Sequence, residues 1–536
     1  MRSTGRGPGR HVRVAVVGAG FSGLGAAVRL GRAGVRDFVV LERAPGVGGT
    51  WRDNTYPGCA CDVPSLLYSY SFAPHAGRWP RTFSGQRDIR AYLEAVADAE
   101  GIGPHLRFGR EVLEMRWDSA RLHWEITTSR ERWTADVAVC AAGPLSEPVI
   151  PPIAGLDSFL GPVFHSARWD HTAELRGKRV AVIGTGASAV QLVPALAATA
   201  AGVRLFQRTP PWVLPRPDRR VPAAERLLYE RLPATAAARR ALLWGVRELV
   251  TRAFTRLPNA LAGYEALARA HLRWAVRDPG LRSRLTPDYR IGCKRILLSS
   301  AYYPALVQPH VETIAASLAE VRGRRLIAGD GTRTEADVIV FATGFRATEP
   351  PIAHRVTGSD GLTLAETWRD GGMRALRGTS VAGFPNLLML LGPNTGLGNT
   401  SLVLMIESQL DYLLDYLRLL EEYGAAGSVA LTPRPAAVRS WNARLDARLG
   451  RTVWNTGGCA SWYRDAEGRN TTLWPGSTRE FRRAVRRVDP GEYARLTPAE
   501  AEPEPETETE AETETEAEAE TEAEADGGPE PVAPPV

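Results

Sequence analysis

No run of 18 apolar residues occurs in this 536-residue chain, so the sequence offers no transmembrane helix. Cysteine is scarce: Cys59, Cys61, Cys140, Cys293 and Cys459 are odd in number and scattered, which argues against a disulfide scaffold and for a reducing compartment. Cys59 and Cys61 stand one residue apart, a spacing that suits neither a redox CxxC pair nor a zinc knuckle, and no metal is expected. The N-terminus is basic but has no apolar signal core or cleavage site, so a cytoplasmic protein is the expectation. Residues 500–536 lack every large apolar side chain except Val; such a Glu/Thr/Ala/Pro stretch cannot offset chain entropy by burial and reads as a disordered acidic tail. That tail holds 15 acids and no base, which leaves 45 acids against 66 Lys+Arg, a net +21, on the rest. The overall +6 therefore hides a basic body, read either as a solvated Arg-rich surface or as one used for anionic cofactors or membrane.

The length calls for more than one core. An apolar strand, Val14–Val17, runs into Gly18, Gly20 and Gly23 in GxGxxG spacing, then a small-residue helix ending near Gly34, then "DFVVLE" closing on Glu42. A lone GxGxxG is a weak signal, but strand, glycines, helix, strand and terminal acid together describe a dinucleotide-binding unit. The glycines admit a pyrophosphate to the helix N-terminus, and Glu42 suits ribose hydroxyls, as in FAD. A second unit starts at the strand Val180–Ile183 and continues through Gly184, Thr185, Gly186, Ser188 and Ala189, a GxGxxA loop. Its next strand ends on Arg208 and Thr209 instead of an acid; an acid repels a 2′-phosphate and an Arg pairs with it, so this unit reads as an NADP site.

"DVAVCAAG" (136–143) and "DVIVFATGF" (337–345) each close such a unit. The fold class is therefore α/β, two doubly wound Rossmann-like domains with the second inserted in the first: 1–155 and 346–499 for FAD, 156–345 for NADP, and 500–536 the tail. A Gly/Asn loop at 392–399 precedes a long helix whose start either faces the flavin or simply packs. Residues of about 218–290 are Arg- and Ala-rich with helical spacing and form a helical subdomain, read as a lid or as a basic amphipathic membrane-surface element.

Between the two units lies "FLGPVFHSARWD", with Phe159, Gly161, His165, Trp169 and Asp170 at the offsets F-x-G-x-x-x-H-x-x-x-W-D. With the two dinucleotide motifs, this connector resembles the fingerprint of the flavin-dependent Baeyer–Villiger monooxygenases, class B flavoprotein monooxygenases, over about residues 12–490. The segment after 391 resembles an atypical subgroup. The resemblance implies an NADPH- and FAD-dependent enzyme that inserts one atom of O2 beside a ketone carbonyl, through a C4a-peroxyflavin, giving an ester or lactone. The alternative is S- or N-oxygenation, as in flavin-containing monooxygenases; a nucleotide-binding redox sensor is a third reading.

The same likeness places Thr50, Trp51, Arg52, Asp53, Asp62 and Tyr68 along the FAD, Lys294 on the NADP phosphate side, and Arg295 at the active site held by Asp62. It also implies that Trp462 closes over nicotinamide and substrate. Gly161 is read as permitting a turn, His165 and Trp169 as anchoring a linker that couples the two units without acid–base chemistry. The expected substrate is a small apolar ketone; no nucleic-acid partner is expected.

Overall fold

The computed structural model describes residues 10–425 and 427–498; the acidic tail lies outside them. The first sheet is mixed: Val-rich parallel strands form its centre, because β-branched side chains pack well on a pleated surface buried on both faces, and His123–Thr128 pairs antiparallel with both of its neighbours. Its order is Val356–Thr357, Val112–Asp118, His123–Thr128, Arg132–Cys140, Arg10–Val17, Phe38–Glu42, Leu106–Phe108, and Leu387–Met389 pairs off this path with Arg132–Cys140. Arg10–Val17 pairs in parallel with Phe38–Glu42 on one side and Arg132–Cys140 on the other. The first strand is longer than the apolar run suggested, because Arg10, His11 and Arg13, with buried Val12 among them, extend the ladder toward an exposed end.

Helix Phe21–Arg32 lies on this sheet through small buried residues, among them Gly23 and Ala27. A Cβ on Gly23 would overlap the Gly18 carbonyl oxygen, so only glycine allows this helix-to-loop approach. On its outer side the helix packs against Leu402–Gly424, and Leu410 and Tyr70 crowd Gly25.

After Cys140 the chain leaves the first sheet and builds a second, all parallel, in the order Val311–Ile314, Gly202–Phe206, Arg179–Ile183, Val338–Phe341, Val163–His165. It then returns to the first sheet at Val356 and Leu387. The helical stretch departs from the second sheet's path as helices Ala223–Arg231, Pro233–Thr255, Ala262–Ala275 and Pro279–Arg284. A short parallel ladder, Val213–Leu214 with Leu297–Leu298, joins the two ends of that excursion and so fixes the backbone just after Arg295. Among the described residues no helix is long and apolar enough to cross a membrane.

The scattered cysteines are not all free. Cys293 and Cys459 form a disulfide across a separation of 166 residues, while Cys59, Cys61 and Cys140 remain thiols. This corrects the expectation drawn from cysteine number and spacing, because the fold brings together two residues that no local pattern relates. A Cβ on Gly457 would press on Cys293 Cβ at 2.6 Å, so the close approach of the two segments depends on that glycine.

Candidate active site

Both glycine loops end in helices with no side chain at the N-cap: Gly20 before Phe21–Arg32 and Gly186 before Ala187–Ala197. Their first-turn N–H groups are therefore uncommitted to a capping side chain and carry the positive end of the helix dipole, as a pyrophosphate requires. Gly18 adopts φ +103°, with Ala141 O 2.7 Å from where a Cβ would stand, and Gly184 adopts φ +112° in the same role against Ala342. The first cleft is lined by Gly18, Gly20, Glu42, Thr50, Trp51, Arg52, Asp53, Tyr68 and, from the helix after the Gly/Asn loop, Leu402, Val403 and Ile406. That long helix thus faces the cleft with its first turns as well as packing.

Glu42 is buried and held in place: its carboxylate accepts from Ala19 N at 2.8 Å and Ala44 N at 2.9 Å, with Arg52 Nη1 at 3.3 Å. Arg52 in turn donates from Nε to Asp53 at 2.8 Å, and Trp51 Nε1 donates to Tyr68 OH at 3.1 Å. These contacts make Thr50–Asp53 and Tyr68 one wall of the cleft. The wall also docks on the second unit, since Gln191 of helix Ala187–Ala197 bonds Ala60 in both directions and Tyr56 OH donates to it at 2.9 Å.

At the second loop, Thr185 Oγ1 donates to Thr209 O at 2.8 Å, tying the glycine turn to the end of the next strand. Ser188 is half-buried and Ala189 fully buried under the sheet. Arg208 is exposed beside it. Lys294 lies over the Tyr289 ring at 5.0 Å; its ammonium is held below the ordinary lysine value first by burial and then by the positive field of Arg208. The two cations are thus close enough to repel each other, an arrangement that a doubly charged anion would relieve.

Arg295 and Asp62 meet in a bidentate pair, Nε to Oδ2 at 2.6 Å and Nη2 to Oδ1 at 2.7 Å. Burial alone pushes the Asp62 carboxyl up, but the Arg295 charge and hydrogen bonds, with help from Arg247, hold it below the ordinary carboxylate value. Burial likewise works against the Arg295 cation, and Asp62 reverses the effect and raises it. The pair is thus ionised, and about a quarter of each side chain is accessible, 25% and 22%. Of the five guanidinium donors, two go to Asp62 and one to Leu397 O at 3.3 Å, which leaves two.

A bidentate pair is nearly neutral when seen from a distance. Arg247, which sequence reading passed over, restores a net positive charge. It sits in helix Pro233–Thr255, is largely buried, and donates to Asn399 O at 3.2 Å, two residues from the carbonyl that Arg295 uses. No carboxylate lies within salt-bridge distance of it among the described residues. Its neighbour Thr251 donates to Asn399 Oδ1 at 3.1 Å, fixing the loop below. The signal was hidden because 15 arginines occur between 218 and 290, and only packing picks one out. Replacing Arg247 with Met is expected to lower kcat/KM for oxygenation by about 10- to 100-fold with FAD content unchanged. Losing its charge lets the Asp62 carboxyl rise, so the acid limb of the pH–rate profile moves to higher pH. An unmoved limb would refute this role.

Trp462 lies at the surface, on the loop that follows Cys459. Its indole is 48% exposed and leans on Tyr463, ring centroids 4.5 Å apart. The buried residue of that loop is Tyr463, and it is the one close enough to perturb Arg295. The loop is bound to the arginine segment covalently, by Cys293–Cys459, and by Arg290 N to Gly457 O at 3.0 Å.

The connector forms the edge strand Val163–His165, paired with Val338–Phe341. Gly161 lies in a bend, but its φ is ordinary; a Cβ there would collide with Asp337 O, so close approach and not a special turn demands glycine. Phe159 is buried, Trp169 packs edge-on against Phe164 at 5.1 Å, and half-buried Asp170 accepts from Thr172 N at 2.8 Å. His165 is buried, and its Nδ1 accepts from Ala167 N at 3.1 Å. Burial, then the Arg168 charge, push its imidazole down to about 4. The unfolded chain binds that proton at about 6.5, so acidification from 6.5 toward 4 favours unfolding, by on the order of 1–3 kcal/mol from this ring. Melting temperatures across that window should fall less steeply for His165→Gln than for the wild type; equal slopes would remove the effect from His165.

Comparison with known proteins agrees with this geometry. The profile of the flavin-binding monooxygenase-like family matches residues 11–239. A Baeyer–Villiger monooxygenase of Streptomyces coelicolor is 64% identical over 92% of this chain and 94% of its own. One of Pseudomonas aeruginosa is 44% identical over 90% and 91%. Among solved structures, cyclohexanone monooxygenase from Rhodococcus sp. Phi1 bound to NADP+ superposes with a TM-score of 0.79 at 28% identity, covering 89% of this chain and 97% of that one. Two uncapped glycine loops, a cationic pair at the second and an Arg–Asp pair beside the first are here joined to near-complete coverage of named relatives: the chain belongs to the Baeyer–Villiger monooxygenases.

Proposed function

We propose that this chain uses FAD, NADPH and O2 to insert one oxygen atom next to the carbonyl of an apolar ketone, giving an ester or lactone. The observation that carries the reading is the ionised Asp62–Arg295 pair, with Arg247 beside it, on the loop Leu397–Asn399 next to the first cleft. FAD would be held in the domain of 1–155 and 346–499, its pyrophosphate at Gly18, Gly20 and Gly23, its ribose at Glu42, and its ring along Thr50–Asp53 and Tyr68. NADPH would be held in the domain of 156–345, at Gly184–Ala189, with its 2′-phosphate between Arg208 and Lys294. When bound, FAD reduced by NADPH supplies the activated oxygen.

The chain's own contribution is electrostatic. Arg295 offers uncommitted N–H donors to the ketone oxygen, whose negative charge grows as the carbonyl is attacked. A guanidinium keeps its proton in such a setting, so the charge does not depend on pH near neutrality. Asp62 fixes the plane of that guanidinium, and Arg247 keeps the site net positive. The test is aerobic turnover of cyclic, aryl and long-chain ketones, and of a thioether, with 18O2 and mass spectrometry of products. Labelled ester or lactone is expected; labelled sulfoxide with no ester from any ketone would favour the heteroatom reading.

A further inference from the structure

Helix Pro233–Thr255 has two functional faces. Arg240, Trp244 and Arg247 point inward, and Arg240 and Trp244 line a cavity of about 700 Å³ with helix Leu402–Gly424 and the segment 66–78. The opposite face carries Arg239, Leu242, Val246, Leu249 and Arg252, spaced three and four residues apart, hence in one row. Leu242 is 58% exposed, Val246 50% and Leu249 62%. Leu227 and Leu228 on the preceding helix, and Leu232 between the two, are exposed as well. Exposed leucines occur singly on many proteins, but an apolar row along one helix calls for a cover.

The flanking charges say what kind. Residues 218–290 contain 15 arginines and seven carboxylates, a net +8. Arg231, Arg239 and Arg252 are exposed and form no salt bridge among the described residues. An apolar row bracketed by unpaired cations matches an interface with acyl chains below and anionic headgroups around it. Ala237 and Ala241 are exposed and also line the cavity, so its mouth opens along this helix, next to Leu242.

We infer that the helices Ala223–Arg231 and Pro233–Thr255 seat this enzyme on an anionic bilayer surface, with the cavity opening at that interface to receive amphipathic ligands from it. The inference goes beyond the oxygenation reading and does not depend on it. It is tested by flotation of the full-length protein with vesicles of phosphatidylcholine alone and of phosphatidylcholine with phosphatidylglycerol. About tenfold more protein is expected to float with the anionic vesicles at low salt, and the excess to vanish at high salt. L242E/L249E should abolish flotation while leaving melting temperature and vesicle-free turnover of a water-soluble ketone unchanged; Arg239→Gln with Arg252→Gln should lose only the preference for anionic lipid. Flotation of the wild type with neither vesicle, or equally with both, overturns the inference. So does a solution dimer that L242E/L249E splits, since a second copy would then cover the row.

Discussion

Arg295→Ala is expected to stop ester formation while NADPH and O2 are still consumed. Hydride delivery depends on how the cofactors are held, and the groups proposed to hold them, the two glycine loops with Arg208 and Lys294, are untouched by the substitution. What is lost is the cation where negative charge develops, and a donor of this kind is typically worth a rate factor of about 10²–10³. The oxygen then leaves as hydrogen peroxide, so the readout is a ratio, peroxide to ester. Removing one partner of a buried pair also costs about 3–5 kcal/mol of stability, because burial drives the abandoned Asp62 carboxyl upward once the guanidinium is gone. Arg295→Lys is the control: it keeps the charge, loses the bidentate geometry, and should recover stability before it recovers ester. Asp62→Ala should give a milder form, with the cation present but poorly oriented. Wild-type ester yield from Arg295→Ala would end the mechanism proposed here.

The second large effect is expected at the coenzyme. Substituting both Arg208 and Lys294 with Ala should reduce kcat/KM for NADPH on the order of 100-fold, because hydrogen bonds to a charged group contribute roughly 1.5–3 kcal/mol each. NADH, which has no 2′-phosphate, should be used about as well as before. The two losses should not simply add, since relief of the Arg208–Lys294 repulsion in the empty site offsets part of the lost attraction. If NADPH and NADH suffered equally, the pair would be structural.

The parts of this site that local backbone chemistry dictates were legible in the sequence. Gly18, Gly23 and Gly184 are readable because no other residue fits their turns and contacts. The absence of an acid after Phe206 is readable because charge sign alone discriminates the two coenzymes. Asp62 and Arg295, 233 positions apart, were placed together only by resemblance; the structure then supplied the two bonds. Lys294 had a weak signal of its own: it is one of only two lysines, with Lys178, among 66 basic residues. Arg247 had none, being one arginine in a crowd; the row beside it was legible only as one of two readings of the Arg- and Ala-rich stretch, because its spacing fits a buried face equally well until the packing is seen. Trp462 was singled out by resemblance alone; its indole is exposed, and its neighbour Tyr463 occupies the interior.

The bond between Cys293 and Cys459 makes a covalent ring of the chain that lies between them. That ring contains the last two strands of the second sheet, the chain's return to the first sheet, and helix Leu402–Gly424. A protease that cuts the exposed turn at Ser359–Leu362 would therefore open the ring without releasing either half. Nicked protein should migrate as one species without reductant and as two with it, whereas a cut ahead of Cys293 should yield two species in both lanes. A cell that keeps its thiols reduced would hold this enzyme as a linear thread; one that oxidises them would hold it as a lasso closed two residues ahead of Arg295.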